Sequence, residues 1–217
     1  MIVLVFGGIL NSTPVAAVDP FEKDIGIFEL HEQTFLDGLA KLNGMTDFGF
    51  SVELILKPSL SSPNPENPRF SGRIDNATLR QALIWLFQLD KRYTWTEDKD
   101  MINVFPKEKM EGGEGYFVNR RIPYIEYVNV KSWSDAVFFS VGQLPGRKEQ
   151  IAIQLVGPKP DFPKPMTSHY TNISVREAFN VIARQCGKGW GWVLRGTALD
   201  FRLITFHQRL LPSQASK

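Results

Sequence analysis

The sequence contains little that could carry metal or covalent chemistry. Its single cysteine, Cys186, excludes an intramolecular disulfide, so the fold must be stabilised by its core. The three histidines, His31, His169 and His207, lie far apart, and none lies at a metal-ligand spacing from Cys, Asp or Glu. We therefore expect no metal site and no cofactor. Cys186 lies at the end of a predicted helix, where a buried structural thiol is the expected role.

Charge is absent from the first seventeen residues, although 22% of the whole chain is charged. Their apolar core of about ten residues is too short to cross a bilayer, which takes roughly twenty residues. Segment 1–17 ends in the small residues VAA, which is typical of a signal peptide that is cleaved on export; a buried N-terminal strand is the alternative. A signal peptide predicts a periplasmic or secreted protein whose mature chain has no integral membrane span.

The balance of charge differs between the two halves of the chain. Residues 1–110 contain 11 Lys and Arg against 15 Asp and Glu, a net charge of −4, whereas residues 111–217 contain 14 against 8, a net charge of +6. Each half can simply have its own solvated surface, or the halves, or copies arranged head to tail, can attract each other. The basic residues are dispersed and form no stripe, so we expect no binding of nucleic acid.

A stretch of the first half is repeated in the second. RIDNATLRQALIWLFQLDKRYTW at 73–95 corresponds to YTNISVREAFNVIARQCGKGWGW at 170–192, and Asn76 lies 96 residues before Asn172. Between them, EKMEGGEGYF combines charges with glycines and has no apolar periodicity, which is typical of a linker. A similar stretch that recurs about 96 residues later indicates a duplicated unit. The predicted segments are a signal peptide at 1–17, a first unit at 18–107, a linker at 108–117, a second unit at 118–211 and a tail at 212–217.

Four predicted helix starts follow one pattern, a hydroxyl residue followed three positions later by an acid or amide. The hydroxyl accepts a hydrogen bond from a backbone N–H of the first turn, and the acid or amide reaches back to the capping residue. Apolar residues recur behind the caps at helical spacing, so each helix has one apolar stripe to bury. The predicted caps are Thr34, Thr78, Ser132 and Ser174.

Short strand-like runs lie between the helices, and the turns EDKD and RGTA separate the last two strands of each half, as hairpins require. We therefore predict an α+β fold of two tandem small units, each ordered β-α-β-β-α-β-β. The helices are expected on one side of a small sheet or between two small sheets. The runs FSVELIL at 50–56 and QIAIQLV at 150–156 are predicted to be exposed strand edges to which a partner strand can add.

The elements in residues 27–105 resemble the short N-terminal domain of secretins and TonB-dependent receptors. The resemblance is carried by FELHEQTFLDGLAKL, FSVELIL, FSGRIDNATLRQALIWLF and YTWTEDKDMINVF. The second half follows the same order with a longer, proline-rich loop at 155–170. The family pattern is one of apolar spacing and has no catalytic residue.

This resemblance implies a non-enzymatic, periplasmic protein-interaction or assembly module. In transducing outer-membrane receptors such a domain contacts a regulatory protein of the inner membrane, and in secretins it lies in the periplasmic ring. The implied role is that of an adapter whose partner is a protein of the cell envelope or another copy of the chain.

Two aromatic pairs lie at strand spacing, Trp190 with Trp192 and Tyr93 with Trp95, so each pair is expected on one face of a strand. Packing against the preceding helix is the expected role, because aromatic side chains bury large areas. If the faces are open, the pairs instead form a platform for glycans such as peptidoglycan. A cell-wall glycan-binding module is therefore the first alternative function.

The second alternative is an enzyme that uses His31 and Glu32 as an acid–base pair where a strand meets a helix. No third, orienting group is visible in the sequence. GKGWGWVLRG at 187–196 contains the glycines of a phosphate-binding loop, but it follows a helix and opens a strand, the reverse of a dinucleotide-binding fingerprint. Gly187 is predicted instead to end the helix, where a positive φ is needed.

Overall fold

A computed structural model describes residues 19–54, 68–107, 117–145, 152–156, 161–195 and 200–204. The predicted signal peptide at 1–17, nearly all of the predicted linker, His207 and the tail at 212–217 lie outside these ranges. None of the helices in these ranges is long and apolar enough to cross a membrane.

Each half of the chain folds in the predicted order. Unit 1 consists of β1 (Asp24–Thr34), α1 (Phe35–Met45), β2 (Gly49–Glu53), β3 (Arg69–Thr78), α2 (Leu79–Leu89), β4 (Tyr93–Asp98) and β5 (Met101–Pro106). Unit 2 consists of β6 (Arg121–Ser132), α3 (Trp133–Gly142), β7 (Ala152–Val156), β8 (Asp161–Ser174), α4 (Val175–Cys186), β9 (Trp192–Arg195) and β10 (Asp200–Ile204). The α+β class is confirmed, as is the order β-α-β-β-α-β-β in both units.

In the described ranges, four α-helices begin at the predicted hydroxyl caps. Thr34, Thr78 and Ser174 each accept a hydrogen bond from the backbone N–H three residues on, and each belongs to a reciprocal capping box. Ser132 accepts a bond from the backbone N–H of Asp135. The shorter aspartate at position 37 still completes its box, since its Oδ2 lies 3.1 Å from the Thr34 nitrogen.

The backbone conformation explains why asparagine occurs at both repeated positions. Asn76 and Asn172 both adopt the left-handed conformation, with φ of 51° and 50°. Asparagine tolerates this region better than most residues because its short polar side chain can bond locally. Each lies two residues before a helix cap, so the same backbone turn leads into α2 and α4.

A two-stranded antiparallel ribbon lies in each unit, β1 with β3 and β6 with β8. Strand β8 begins at Asp161, within the segment predicted as a proline-rich loop at 155–170, so that prediction is wrong for most of its length. Pro163 and Pro165 fit into this strand because β8 pairs with one described strand only, and a proline nitrogen can face the open side.

The other six strands form one sheet in the order β4-β5-β2-β9-β10-β7, which differs from the separate small sheets expected for the two units. The units join where β2 pairs in parallel with β9, with Ser51 opposite Trp192. Strand β2 is therefore interior and wholly buried, and the prediction of an exposed edge at 50–56 is wrong for the described part of that run. A strand with parallel neighbours is covered on both faces, so the apolar Phe50 and Val52 and the polar Ser51 and Glu53 are all buried. The run at 150–156 supplies β7, which lies at the edge among the described strands, as predicted.

The two units bury opposite faces of the shared sheet. Phe50 and Val52 belong to the core of unit 1. Ser51 and Glu53 point to the other face, because side chains alternate along a strand. Glu53 binds Arg176 of α4 directly, and Ser51 is linked to Asn180 of α4 through Asn103. Trp192 on β9 belongs to the core of unit 2. The strand order of unit 1 repeats in unit 2 after three strands, but the corresponding strands run in the opposite direction. The two units are therefore related by a shift of three strands across the sheet and a rotation of about 180° around that direction.

Candidate protein-interaction surfaces

The aromatic pairs are mainly parts of the core. Trp192 has no exposed surface, and its Nε1 donates a hydrogen bond to Asn180 Oδ1 at 2.9 Å. Tyr93 is 4% exposed. Trp190 and Trp95 are half-buried. The packing interpretation is confirmed for Trp192 and Tyr93, and an open platform formed by the two pairs is wrong because one member of each pair is inaccessible.

His31 and Glu32 do not form an acid–base pair. His31 Nε2 lies 3.5 Å from Glu29 Oε1, on an imidazole that is 79% exposed. Glu32 instead accepts a hydrogen bond from Ser71 Oγ at 2.8 Å. The two side chains therefore have different partners on the surface of the first ribbon.

Cys186 is buried, as the sequence predicts for a structural thiol. Burial raises the pKa of Cys186 to about 12, so the thiol is protonated at neutral pH and is a poor nucleophile. Across the described ranges, no group of three His, Cys, Asp or Glu side chains could hold a metal ion. His169, exposed on β8, is not part of any such group there.

A buried ion pair connects the units on the face opposite to the core of unit 1. Arg176 of α4 donates from Nε to Glu53 Oε1 at 2.7 Å, and Glu53 is only 1% exposed. The guanidinium also lies over the ring of Phe105, 5.3 Å from its centroid. Glu53 Oε2 is buried without a hydrogen-bond partner in the described part of the chain. Loss of Arg176 would leave this carboxylate without its counter-charge.

An amide network lies next to this ion pair. The side-chain nitrogen of Asn180 donates to Asn103 Oδ1 at 2.8 Å and to Asp98 Oδ2 at 3.0 Å, while its oxygen accepts the bond from Trp192. Ser51 Oγ donates to the same Asn103 oxygen at 2.5 Å. A buried network is favourable when its members are satisfied, and Asn180 uses both its donor and its acceptor atoms here.

Arg184 extends the junction to the surface. It lies 2.9 Å from Asp98 Oδ2 and 2.7 Å from Asp100 Oδ1, at the tip of the β4–β5 hairpin. Burial acts to raise the pKa of Asp98, but the hydrogen bonds from Asn180 and Arg184 outweigh it, so the pKa lies below its ordinary value. The carboxylate is therefore ionised at neutral pH.

Open clefts flank this region, with volumes of about 500 and 460 Å³. Both combine acidic and basic side chains, among them Glu177 with Arg184 in one and Glu97 with Arg121 in the other. Much of this charge is already paired, as in the contact of 3.2 Å between Arg121 and Glu177. The clefts thus have no dominant charge that would select one class of small ligand.

The glycine-rich segment has two structural roles. Gly187 follows α4 with φ of 123°, so the predicted helix end is confirmed. Gly191 has a role that sequence reasoning missed: a Cβ at this position would overlap the carbonyl oxygen of Phe50 on β2. The absent side chain lets β9 approach β2 closely. No local sequence signal identifies this contact, because the two strands come from different units.

The outer edges of the six-stranded sheet are candidate contact sites. Strand β4 pairs only with β5, and β7 only with β10, among the described strands. Thr96 and Glu97 on β4 are exposed. An edge strand presents unpaired backbone N–H and C=O groups to which another strand can add.

Among the residues whose burial the structure describes, six large apolar side chains are substantially exposed, and sequence reasoning singled out none of them. Phe138 and Phe139 are adjacent on α3, and Phe139 lies 5.9 Å from the Tyr127 ring between centroids. The six are Ile27, Ile84, Tyr124, Val128, Phe138 and Phe139.

A scan against models of protein families and searches of curated proteins and of solved structures find no match to this chain.

Proposed function

We propose that this chain is a non-enzymatic, periplasmic protein-interaction or assembly module, similar in role to the short N-terminal domains of secretins and TonB-dependent receptors. The observation that carries the proposal is the six-stranded sheet, whose outer strands β4 and β7 each have one described neighbour. The chain presents two strand edges, and strand addition to an edge is a common way to bind a protein segment.

The internal junction supports this mode of binding. Units 1 and 2 are joined by an edge-to-edge contact, since β2 pairs with β9 and thereby joins a three-stranded part of one unit to that of the other. Side chains then cover the seam, as the ion pair between Arg176 and Glu53 does. Backbone pairing supplies affinity in such contacts, and neighbouring side chains supply specificity.

The proposal is tested with a photo-crosslinking amino acid at Thr96, an exposed position on the edge strand β4. The matched control carries the same group at Ile27, which is exposed on β1 and outside the six-stranded sheet. After irradiation of cells, the Thr96 derivative should give a discrete crosslinked protein species that the Ile27 derivative does not give. Equal capture at both positions, or capture at neither, would contradict a role for the edge.

Periplasmic location has its own test. Selective release of the periplasm should bring the chain into the soluble fraction together with a periplasmic marker. Retention with a cytoplasmic marker would contradict this part of the proposal.

A further inference from the structure

The junction between the units joins two different edges. In the repeat, β2 of unit 1 corresponds to β7 of unit 2, and β4 of unit 1 corresponds to β9 of unit 2. The chain pairs β2 with β9 and leaves the outer edges of β7 and β4 without a described partner. The open edges are therefore the counterparts of the two edges that already pair within the molecule.

We propose that a second copy of this chain docks head to tail, so that its β4 pairs in parallel with β7 and repeats the β2–β9 junction between molecules. This inference rests on the proposed function, in which open sheet edges bind protein, and it names the partner. The contact is heterologous, and such contacts build rings when the rotation closes and filaments when it does not.

Strand directions permit this repetition. Strand β2 is parallel to β5 and to β9, whereas β4 is antiparallel to β5. In unit 2, β7 is parallel to β10, which is antiparallel to β9. If β4 of a second copy pairs in parallel with β7, the strand directions follow the same order as at the β2–β9 junction. The cores of successive units then continue to cover alternate faces of the sheet. The next unit 1 would then place α2 over the sheet of unit 2, as α4 lies over the sheet of unit 1.

The outer face of α2 has the exposure that this docking requires. The caps Thr78 and Ser174 are 96 residues apart, so Ile84 corresponds to Asn180. Asn180 is 1% exposed because the junction covers it, whereas Ile84 is 48% exposed. An apolar residue thus lies in the open at the position that the internal junction buries.

Ile27 shows that exposure alone does not define this face. It is also 48% exposed, and it corresponds to Tyr124, since β1 and β6 begin 97 residues apart at Asp24 and Arg121. Tyr124 remains 51% exposed although unit 1 is docked. The internal junction therefore predicts that docking of another copy buries Ile84 and leaves Ile27 in solvent.

The distribution of charge favours the same arrangement. A head-to-tail contact brings the second half of one copy, with a net charge of +6, against the first half of the next, with −4. Opposite potentials increase the rate of encounter and disfavour contact between like halves.

The test is sedimentation velocity of the full chain over a range of concentrations, with Ile84→Glu and its matched control Ile27→Glu. The wild type and Ile27→Glu should associate as concentration rises, with the same dissociation constant. Ile84→Glu should weaken association about tenfold or more, because it places an unpaired charge in the contact. Ile84→Lys should weaken association as well. A loss with both Glu and Lys would show that burying a charge weakens the contact, whatever the sign of that charge. Circular dichroism establishes that each variant is folded.

The proposal is overturned if the wild type remains monomeric at every concentration, or if Ile27→Glu and Ile84→Glu weaken association equally. A monomeric chain that still gives an edge-specific crosslink to a different protein at Thr96 would remove the second copy as partner and retain the proposed function. A monomeric chain with no such crosslink would remove both.

Discussion

Corresponding arginines have different surroundings in the two units. Arg80 at the start of α2 contacts three carboxylates, those of Asp19, Glu22 and Glu97, on the surface of unit 1. Arg176, the equivalent residue 96 positions later, contacts Glu53 of unit 1 in the buried junction. The same local sequence pattern therefore starts both helices, and the place of each unit in the chain decides whether its arginine is at the surface or in a contact.

The corresponding helices α1 and α3 also differ in the residues that they expose. Their caps are 98 residues apart, so Ala40 and Lys41 of α1 correspond to Phe138 and Phe139 of α3. Lys41 donates from Nζ to the Glu29 carbonyl at 2.7 Å, whereas both phenylalanines are more than two-fifths exposed. The duplicated fold has kept its caps and cores, and its outer surfaces have become different.

The largest expected effect comes from the tryptophans that end the two repeated stretches, Trp95 and Trp192. Trp192→Ala should reduce the free energy of unfolding by about 4 kcal/mol, because it empties a fully buried site and removes the bond to Asn180. Trp95→Ala should cost about 2 kcal/mol, since Trp95 is only half-buried on the edge strand. Urea unfolding monitored by circular dichroism measures both. Equal losses would show that the neighbouring unit adds nothing to the burial of Trp192.

The next effect concerns the two arginines. Arg176→Ala should destabilise the chain by about 3 kcal/mol, because it leaves Glu53 buried without its counter-charge. Arg80→Ala should have a much smaller effect, because its partners are exposed and solvated. The measurement is again urea unfolding at neutral pH.

The control is the double variant Arg176→Ala with Glu53→Gln. It should recover part of the loss because the unpaired charge is gone, and its coupling is read from a double-mutant cycle. A double variant as unstable as the sum of the two single ones would exclude the ion pair as the cause.

Local signals in the sequence predicted the elements well. Helix caps such as Thr78 and Ser174 act through atoms three residues away, and the end of α4 at Gly187 requires only a positive φ. The burial of Trp192 and Tyr93 agrees with the packing expected for large aromatic side chains that follow a helix. These features can be predicted from the sequence because the residues that interact are close together in the chain.

The charge balance allowed an attraction between the halves, but the residues and strands of the contact were not predicted, because its partners are distant in the sequence. Arg176 meets Glu53 across 123 residues, and Asn180 meets Asn103 across 77. Only the run FSVELIL indicated an interior strand, since a strand with few polar residues is typical of burial on both faces. The exposure of Ile84 is informative only in relation to its counterpart Asn180, which lies buried in the junction.

The smallest expected effect is the response of the junction to acid. The pKa of Asp98 is lowered in the folded chain, because hydrogen bonds from Asn180 and Arg184 outweigh the effect of burial. Its contribution to stability is therefore present above the unfolded pKa of about 4 and is lost as pH falls through the folded value. Asp98→Asn should cost below about 1 kcal/mol at pH 7, since the side chain is partly solvated, and the difference from the wild type should narrow below pH 4. Arg184→Gln should flatten the same part of the profile, because it removes a bond that lowers the pKa. A difference that stays constant from pH 7 to pH 2.5 would show that the ionisation of Asp98 does not stabilise the junction.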